Sequence, residues 1–329
     1  MRMPTANPMR RLFSRQHCAA AVAAAVCAGC VTTPAPEHPR AAQPLPPEVA
    51  ARFALPGPVA TLHFAAAGGD RDRVYWRGAL RCGDEVATFH VLQPRGGGPR
   101  PLVVCLPILA GGAELMWLVA SGLVERGYAA AWVDRVASAM RGEQRAHELE
   151  QLFRRTVLQY RMLLRWAERR ADLFRPGQVG LLGISTGGIV GTVVLALEPD
   201  VAGGALCLAG ADLPRLLLDS LESRVVRWRR ARATREGLAG RTLLRELQRE
   251  LTVDPAHFGA FVDTERVFLV HAALDDVVPP PHQDRLWESL GRPRRLRLLL
   301  LGHYSAGLFL DAVLDEVAAF LAARLAAVR

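Results

Sequence analysis

The run Gly183-Ile184-Ser185-Thr186-Gly187 constrains this chain more than any other stretch. It follows the apolar segment Val179-Gly180-Leu181-Leu182 and precedes Gly188–Leu197, a small-residue, apolar segment with the composition of a helix. A chain that passes from strand to helix through G-x-S-x-G must turn so tightly that the serine takes a strained backbone. Glycines two places before and after it remove the Cβ atoms that would clash. The serine hydroxyl is then held out above the end of a strand. That demands a strand feeding directly into a helix, and so an α/β arrangement.

The rest of the chain repeats this alternation. Val59–Ala66, Val74–Leu80 and Val86–Leu92 read as strands, separated and closed by turn signals at Gly68-Gly69-Asp70, Gly83-Asp84 and Gly96-Gly97-Gly98-Pro99. The continuous apolar run Leu102–Leu106 suits a strand buried on both faces. Helix patterns over Ala113–Arg126 and Gly142–Asp172 flank a strand at Tyr128–Val133. Beyond the serine come a strand at Ala205–Ala209, a largely helical, arginine-rich stretch over 213–262, and a strand at Val267–Val270. A helix at His282–Leu290, a strand at Leu296–Leu301 and a terminal helix at Ala306–Val328 complete the pattern. The fold expected is a mostly parallel twisted sheet with helices on both faces.

A serine hydroxyl is a poor nucleophile at neutral pH. It needs a base within hydrogen-bond reach, and the base needs an orienting acid. In such a sheet these groups come from loops after the strand carboxyl ends. Two loops supply them, His271-Ala272-Ala273-Leu274-Asp275-Asp276-Val277-Val278-Pro279 and Gly302-His303-Tyr304. Ser185, Asp275 and His303 stand in the order nucleophile, acid, base. Asp276 competes with Asp275, and Asp212, just after the preceding strand, is a third candidate acid. His271 reads as a core histidine at a strand end, and His257 and His282 as surface or capping groups.

Over about residues 70–329 the chain resembles the α/β-hydrolase superfamily, in the elbow, in the D-x-V-V-P pattern of Asp275–Pro279 and in Gly302-His303. The tail from Val253-Asp254-Pro255-Ala256-His257-Phe258 through Gly302-His303-Tyr304 is similar to the dienelactone-hydrolase and acetyl-xylan-esterase-like branch. Dienelactone hydrolases proper use Cys as the nucleophile; Ser185 in that place favours esterase chemistry. The resemblance implies Ser185 as nucleophile, His303 as base and then acid, and Asp275 as orienter. It implies an oxyanion hole of two backbone N–H groups. One is that of Thr186. The other comes from the loop Pro107-Ile108-Leu109-Ala110-Gly111-Gly112, with Leu109 preferred to Ile108. Pro107-Ile108 stand where the family often has His-Gly. The loop lacks the HGGG pattern of lipases, which argues against bulky tertiary-alcohol esters.

The activity so implied is hydrolysis of a small-molecule carboxylic ester, short-chain or acetyl, through an acyl-enzyme and without cofactor or metal. An acyltransferase could use the same triad with an alcohol in place of water. A non-catalytic envelope lipoprotein retaining the fold is the alternative from another class. Residues 213–262 fall where related enzymes insert a helical cap. Its Arg224, Arg227, Arg229, Arg230, Arg232 and Arg235 read as a solvated helix face or, more sharply, as a contact for anionic lipid headgroups.

The N-terminus reads separately. Arg2, Arg10, Arg11 and Arg15 precede the short apolar stretch Cys18–Gly29, too short to span a bilayer and suited to a signal sequence. Ala28-Gly29-Cys30 resembles a bacterial lipobox, with Cys27 where Leu is usual. The expectation is a signal peptide over 1–29, a lipid anchor at Cys30 holding the protein to the cell envelope on the extracytoplasmic side, and a Pro/Ala-rich tether over 30–58. The folded domain then covers 59–329. All 41 basic residues are Arg and the formal charge is +9. No basic cluster with a reading element accompanies that charge, so a nucleic-acid partner is not expected. Cys82, Cys105 and Cys207 form no metal spacing and read as buried free thiols.

Overall fold

The computed structural model describes residues 29–109, 113–134 and 144–327. Residues 1–28 of the expected signal segment 1–29, and Ala110–Gly112 of the expected oxyanion loop, lie outside them. Ten strands form one sheet in the order β1-β10-β9-β8-β7-β5-β6-β4-β3-β2. Strands β2 (Ala60–Gly69), β3 (Arg73–Cys82) and β4 (Glu85–Pro94) are an antiparallel meander. Strands β5 (Arg100–Leu106), β6 (Ala129–Val133), β7 (Phe174–Ile184), β8 (Gly203–Cys207), β9 (Val267–Ala272) and β10 (Arg294–Leu298) are parallel. This is the mixed, mostly parallel sheet that the sequence implied.

Side-chain alternation divides the core into two layers. On β5, Leu102, Val104 and Leu106 face one layer, and Val103 and Cys105 the other. Helices α3 (Ala146–Ala167) and α4 (Thr186–Leu197) cover the first. Helices α2 (Ala113–Glu125) and α10 (Leu310–Ala327) cover the second. The thiols of Cys105 and Cys207 both lie in the second layer, and burial pushes the pKa of each up to about 12.

Between β8 and β9 the chain forms α5 (Leu213–Asp219), α6 (Ser223–Glu236), α7 (Gly240–Glu250) and the single turn α8 (Pro255–Phe258). The arginine run is not the free face that the sequence suggested. Arg232 is 1% exposed and bridges Glu236 and Glu246. Arg229 donates to the carbonyls of Leu217 and Ser220, and Arg224 to that of Leu109. Helix periodicity turns only part of such a run outward.

The reading of 30–58 as a tether needs correction. Cys30–Thr33 forms β1, antiparallel to β10, with Cys30 opposite Leu298. Arg40 donates to the carbonyls of Gly259 and Ser289. Helix α1 (Pro47–Arg52) is followed by Phe53, fully buried against Phe258. A Pro/Ala-rich composition predicts extended backbone, and extended backbone also suits an added edge strand. The last parallel strand differs too. Leu299–Leu301 leave the sheet after Leu298, so the leucine run read as strand turns out of it. His282 belongs to the interior, with its ring between Ala211 O and Asp219 on α5, at 3.1 and 3.0 Å. Helix α9 (Pro280–Ser289) turns it inward.

The turn from β7 into α4 is where strain concentrates. Ser185 has φ 55° and ψ −119°. A Cβ on Gly183 would lie 2.5 Å from Gly187 O, and one on Gly187 would lie 2.0 Å from Leu106 O. Both obstacles are backbone, so neither can be moved aside cheaply. Gly187→Ala is expected to cost about 3 kcal/mol in urea unfolding. Gly237→Ala, at φ +63° with open space around it, should cost only about 1 kcal/mol. Equal losses would contradict this account of the turn.

His271, as expected, lies in the core, on β9 opposite Arg297. Neither ring nitrogen has a partner among the described residues. Burial, reinforced by Arg295 and Arg297, lowers its pKa to about 3. The unfolded chain binds this proton near pH 6.5, whereas the folded chain does not until about pH 3. Stability therefore falls as pH drops through that window, by up to about 1.4 kcal/mol per pH unit. His271→Leu should remove one proton from the measured pH dependence of unfolding there and leave the slope above pH 7 unchanged.

Candidate active site

Ser185, Asp275 and His303 reach the carboxyl end of the sheet from three parallel strands. Ser185 caps α4 beyond β7, Asp275 follows β9, and His303 follows β10. All three are buried. His303 Nδ1 lies 2.7 Å from Asp275 Oδ2. A carboxylate can only accept, so the imidazole carries its proton on Nδ1 and leaves Nε2 as the acceptor. The other oxygen, Oδ1, accepts the backbone N–H groups of Val277 and Val278, at 2.9 and 2.7 Å. The D-x-V-V-P pattern thus supplies the acid and the two amides that fix it.

Neither rival acid reaches the histidine. Asp276 is exposed, and its carbonyl accepts the Leu221 N–H. Asp212 caps α5 in the left-handed region at φ 60°, and its carboxylate pairs with Arg215.

Ser185 is fixed by its backbone. Its N–H donates to Cys207 O at 2.7 Å, and its carbonyl accepts from Gly188 and Ile189. Its side chain and that of His303 line the same cleft. Among the described residues no hydrogen bond joins Ser185 Oγ to His303. Bonds of this type tighten when substrate binds. Thr186 opens α4, where the first N–H groups of a helix have no partner within it. Leu106, Pro107, Ile108 and Leu109 run along the cleft beside it. The Leu109 carbonyl accepts from Arg224 at 3.4 Å, which ties the loop after β5 to helix α6.

The cleft continues away from Ser185 between α3 and the inserted helices. Leu149, Leu152 and Phe153 form one wall and Leu213, Leu216, Leu217 and Val225 the other. Polar residues that the sequence reading did not single out as site residues also line it, among them Glu222, Tyr304 and Asp134. Glu222, buried, caps α6 by accepting the N–H groups of Arg224 and Val225. Tyr304 stacks edge-on against His303 at 5.4 Å. Burial, then Glu222, Asp276 and Asp275, push its phenol up. Asp134, just beyond β6, accepts from His90 Nε2 at 2.6 Å, and Tyr75 lies 2.6 Å from His90 Nδ1. The His90 contact is the main reason that the Asp134 carboxyl sits below its ordinary value. Only the adjacency of Tyr304 to His303 was visible in sequence. The Tyr75–His90–Asp134 chain links three strands and has no local signature.

Among solved structures the chain is similar to the acetyl xylan esterase of Paenibacillus sp. R4, at 12% identity and a TM-score of 0.60. That match covers 83% of this chain and 91% of that one. Acetyl xylan esterase 1 of Thermoanaerobacterium sp. JW/SL YS485 matches at 14% identity and TM-score 0.56, covering 82% and 95%. Est1E of Butyrivibrio proteoclasticus matches at 14% and 0.54, covering 76% and 99%. At such identities the likeness is one of fold, the α/β-hydrolase fold. No curated protein matches the chain in sequence. The sequence profile of the prolyl oligopeptidase family matches residues 114–301, taking in the elbow and Asp275 and ending just short of His303. With more than half of its length matched and the serine on the expected turn, the chain belongs to the prolyl oligopeptidase family.

Proposed function

We propose that this protein is a serine hydrolase of carboxylic esters that works through an acyl-enzyme on Ser185. The observation that carries the reading is the buried Asp275–His303 pair beside a strained serine in an apolar cleft. Ser185 Oγ attacks the ester carbonyl while His303 Nε2 takes its proton. The N–H groups of Thr186 and Leu109 receive the developing oxyanion. His303 then protonates the departing alcohol. Water, deprotonated by the same nitrogen, releases the acid and restores Ser185. Asp275 steadies the imidazolium.

Family membership raises peptide-bond cleavage as a second reading. A peptide brings N–H and C=O groups that need partners when buried. The walls beyond Ser185 are mostly leucine, valine and phenylalanine side chains, with Thr156, Gln159 and Glu222 among them, and suit an acyl chain better. The same walls favour an acyl group longer than the short-chain or acetyl group that the resemblance implied. We further propose that the protein is held to the envelope membrane through a lipid on Cys30.

A panel of esters graded in acyl length, run beside a peptide amide, tests the proposal. Turnover should rise from acetyl to medium chains and be negligible on the amide. Ser185→Ala should lose about 10⁶ in kcat. Asp275→Asn should lose about 10⁴, whereas Asp276→Asn should stay within a few-fold of wild type. Turnover surviving Ser185→Ala would defeat the reading. Failure of a fluorophosphonate to label Ser185 would favour a non-catalytic protein, and esters formed from added alcohols would favour an acyltransferase.

A further inference from the structure

The five most exposed large hydrophobic side chains among the described residues are Leu221, Leu274, Leu300, Tyr304 and Leu308, ranging from 61% exposed at Leu221 to 82% at Leu308. They are neighbours in space. The Leu274 N–H donates to Leu301 O, and the Leu221 N–H to Asp276 O, two residues beyond Leu274. Tyr304 lies against His303, and the turn Ser305–Phe309 that follows presents Leu308. Tyr304 also lines the cleft, so the patch is continuous with the mouth of the active site. Exposed apolar residues are ordinary when scattered, but a contiguous group beside a binding cleft marks a contact surface.

The course of the chain identifies what that surface meets. Strand β1 runs antiparallel to β10, and its first residue, Cys30, pairs with Leu298, the last residue of β10. Cys30 therefore sits at the carboxyl-end edge of the parallel strands, the edge that carries Asp275 and His303. The Gly29 carbonyl accepts the Leu299 N–H at 2.7 Å, and the Leu300 side chain lies beside Gly29. Gly29, the last residue of the apolar segment Cys18–Gly29, thus lies against the patch. A bilayer that held that segment, or a lipid on Cys30, would meet the patch and the cleft mouth.

We propose that the rim Leu221–Leu274–Leu300–Tyr304–Leu308 seats on a phospholipid bilayer, so that Ser185 draws acyl esters from the lipid phase rather than from solution. The choice of substrate rests on the ester-hydrolase reading; the seating does not. Apolar side chains at the boundary gain by leaving water, and an acyl chain passing from bilayer to cleft stays in apolar surroundings throughout.

The test uses the full chain in phosphatidylcholine vesicles. One substrate is a water-soluble short-chain ester, the other a long-chain fluorogenic ester dissolved in the vesicles. The double variant Leu300→Gln/Leu308→Gln should lose at least about tenfold on the vesicle ester and keep its kcat/KM on the soluble one. An unchanged vesicle rate would overturn the proposal. A second measurement on the wild type is independent of activity. Amides of 299–309 should exchange with deuterium more slowly when vesicles are present, and those of β2, on the opposite edge of the sheet, should not change. Equal exchange with and without vesicles overturns the seating, including the case in which the chain's own N-terminal segment covers the patch. If the wild type cleaves neither ester, the ester-hydrolase reading fails, and the exchange result still decides the seating.

Discussion

The hydrogen bond from Ser185 N–H to Cys207 O, made inside a turn that tolerates no Cβ at Gly183 or Gly187, is the constraint on which the rest of this molecule hangs. It ties β7 to β8 where the chain reverses into α4, and it holds the serine in a sparsely populated backbone state costing of order 1–3 kcal/mol. Such a state persists only when its surroundings over-determine it. Here the carbonyl of Leu106 against Gly187 and the side chain of Ala209 against Gly188 leave no room for a Cβ on either glycine. Because β9 and β10 continue the same parallel sheet, their loops emerge on the edge that the elbow occupies. Asp275 and His303 need no further device to reach it.

Two buried carboxylates fasten the outlying parts to this frame. Glu150 on α3 accepts the N–H groups of Thr252 and Val253 from the end of the inserted helices, and also pairs with Arg52. Glu198, 2% exposed at the end of α4, lies between Arg161 and Arg165, and Arg161 donates as well to the Phe53 carbonyl. Burial raises the Glu198 pKa and the two guanidiniums oppose that rise, so the site is partnered rather than strained. The same helix that walls the cleft with Leu149 and Phe153 therefore anchors both the chain before the sheet and the insertion over it.

Much of this was legible in sequence, and the failures have a common cause. The elbow, the D-x-V-V-P acid and Gly302-His303 announce themselves because each function needs particular residues a few positions apart. The strands from β5 to β9 were visible as apolar runs bounded by turns. What escaped depends on contacts distant in sequence. Residues 30–58 lack apolar periodicity, yet Phe53 finds Phe258 and Cys30 finds Leu298. His282 looks like a surface residue until α5 folds over it. Leu299–Leu301 extend the apolar run of β10, and only the loss of strand pairing after Leu298 turns Leu300 outward. Arg232 illustrates the converse, a charge in a basic run that the fold encloses between two glutamates.

Strand β1 has one more effect. Without it, β10 would form the end of the sheet, with unpaired backbone running along Arg294–Leu298 into three more leucines. An uncovered edge leading into such a run is a template for pairing with another copy. The four residues Cys30–Thr33 close it, and the other end of the sheet is left to β2. Trimming the chain to a domain beginning at residue 59 would therefore do more than remove residues 1–58. It would uncork the sheet beside the active site and turn a self-contained hydrolase fold into one prone to growing from its edge.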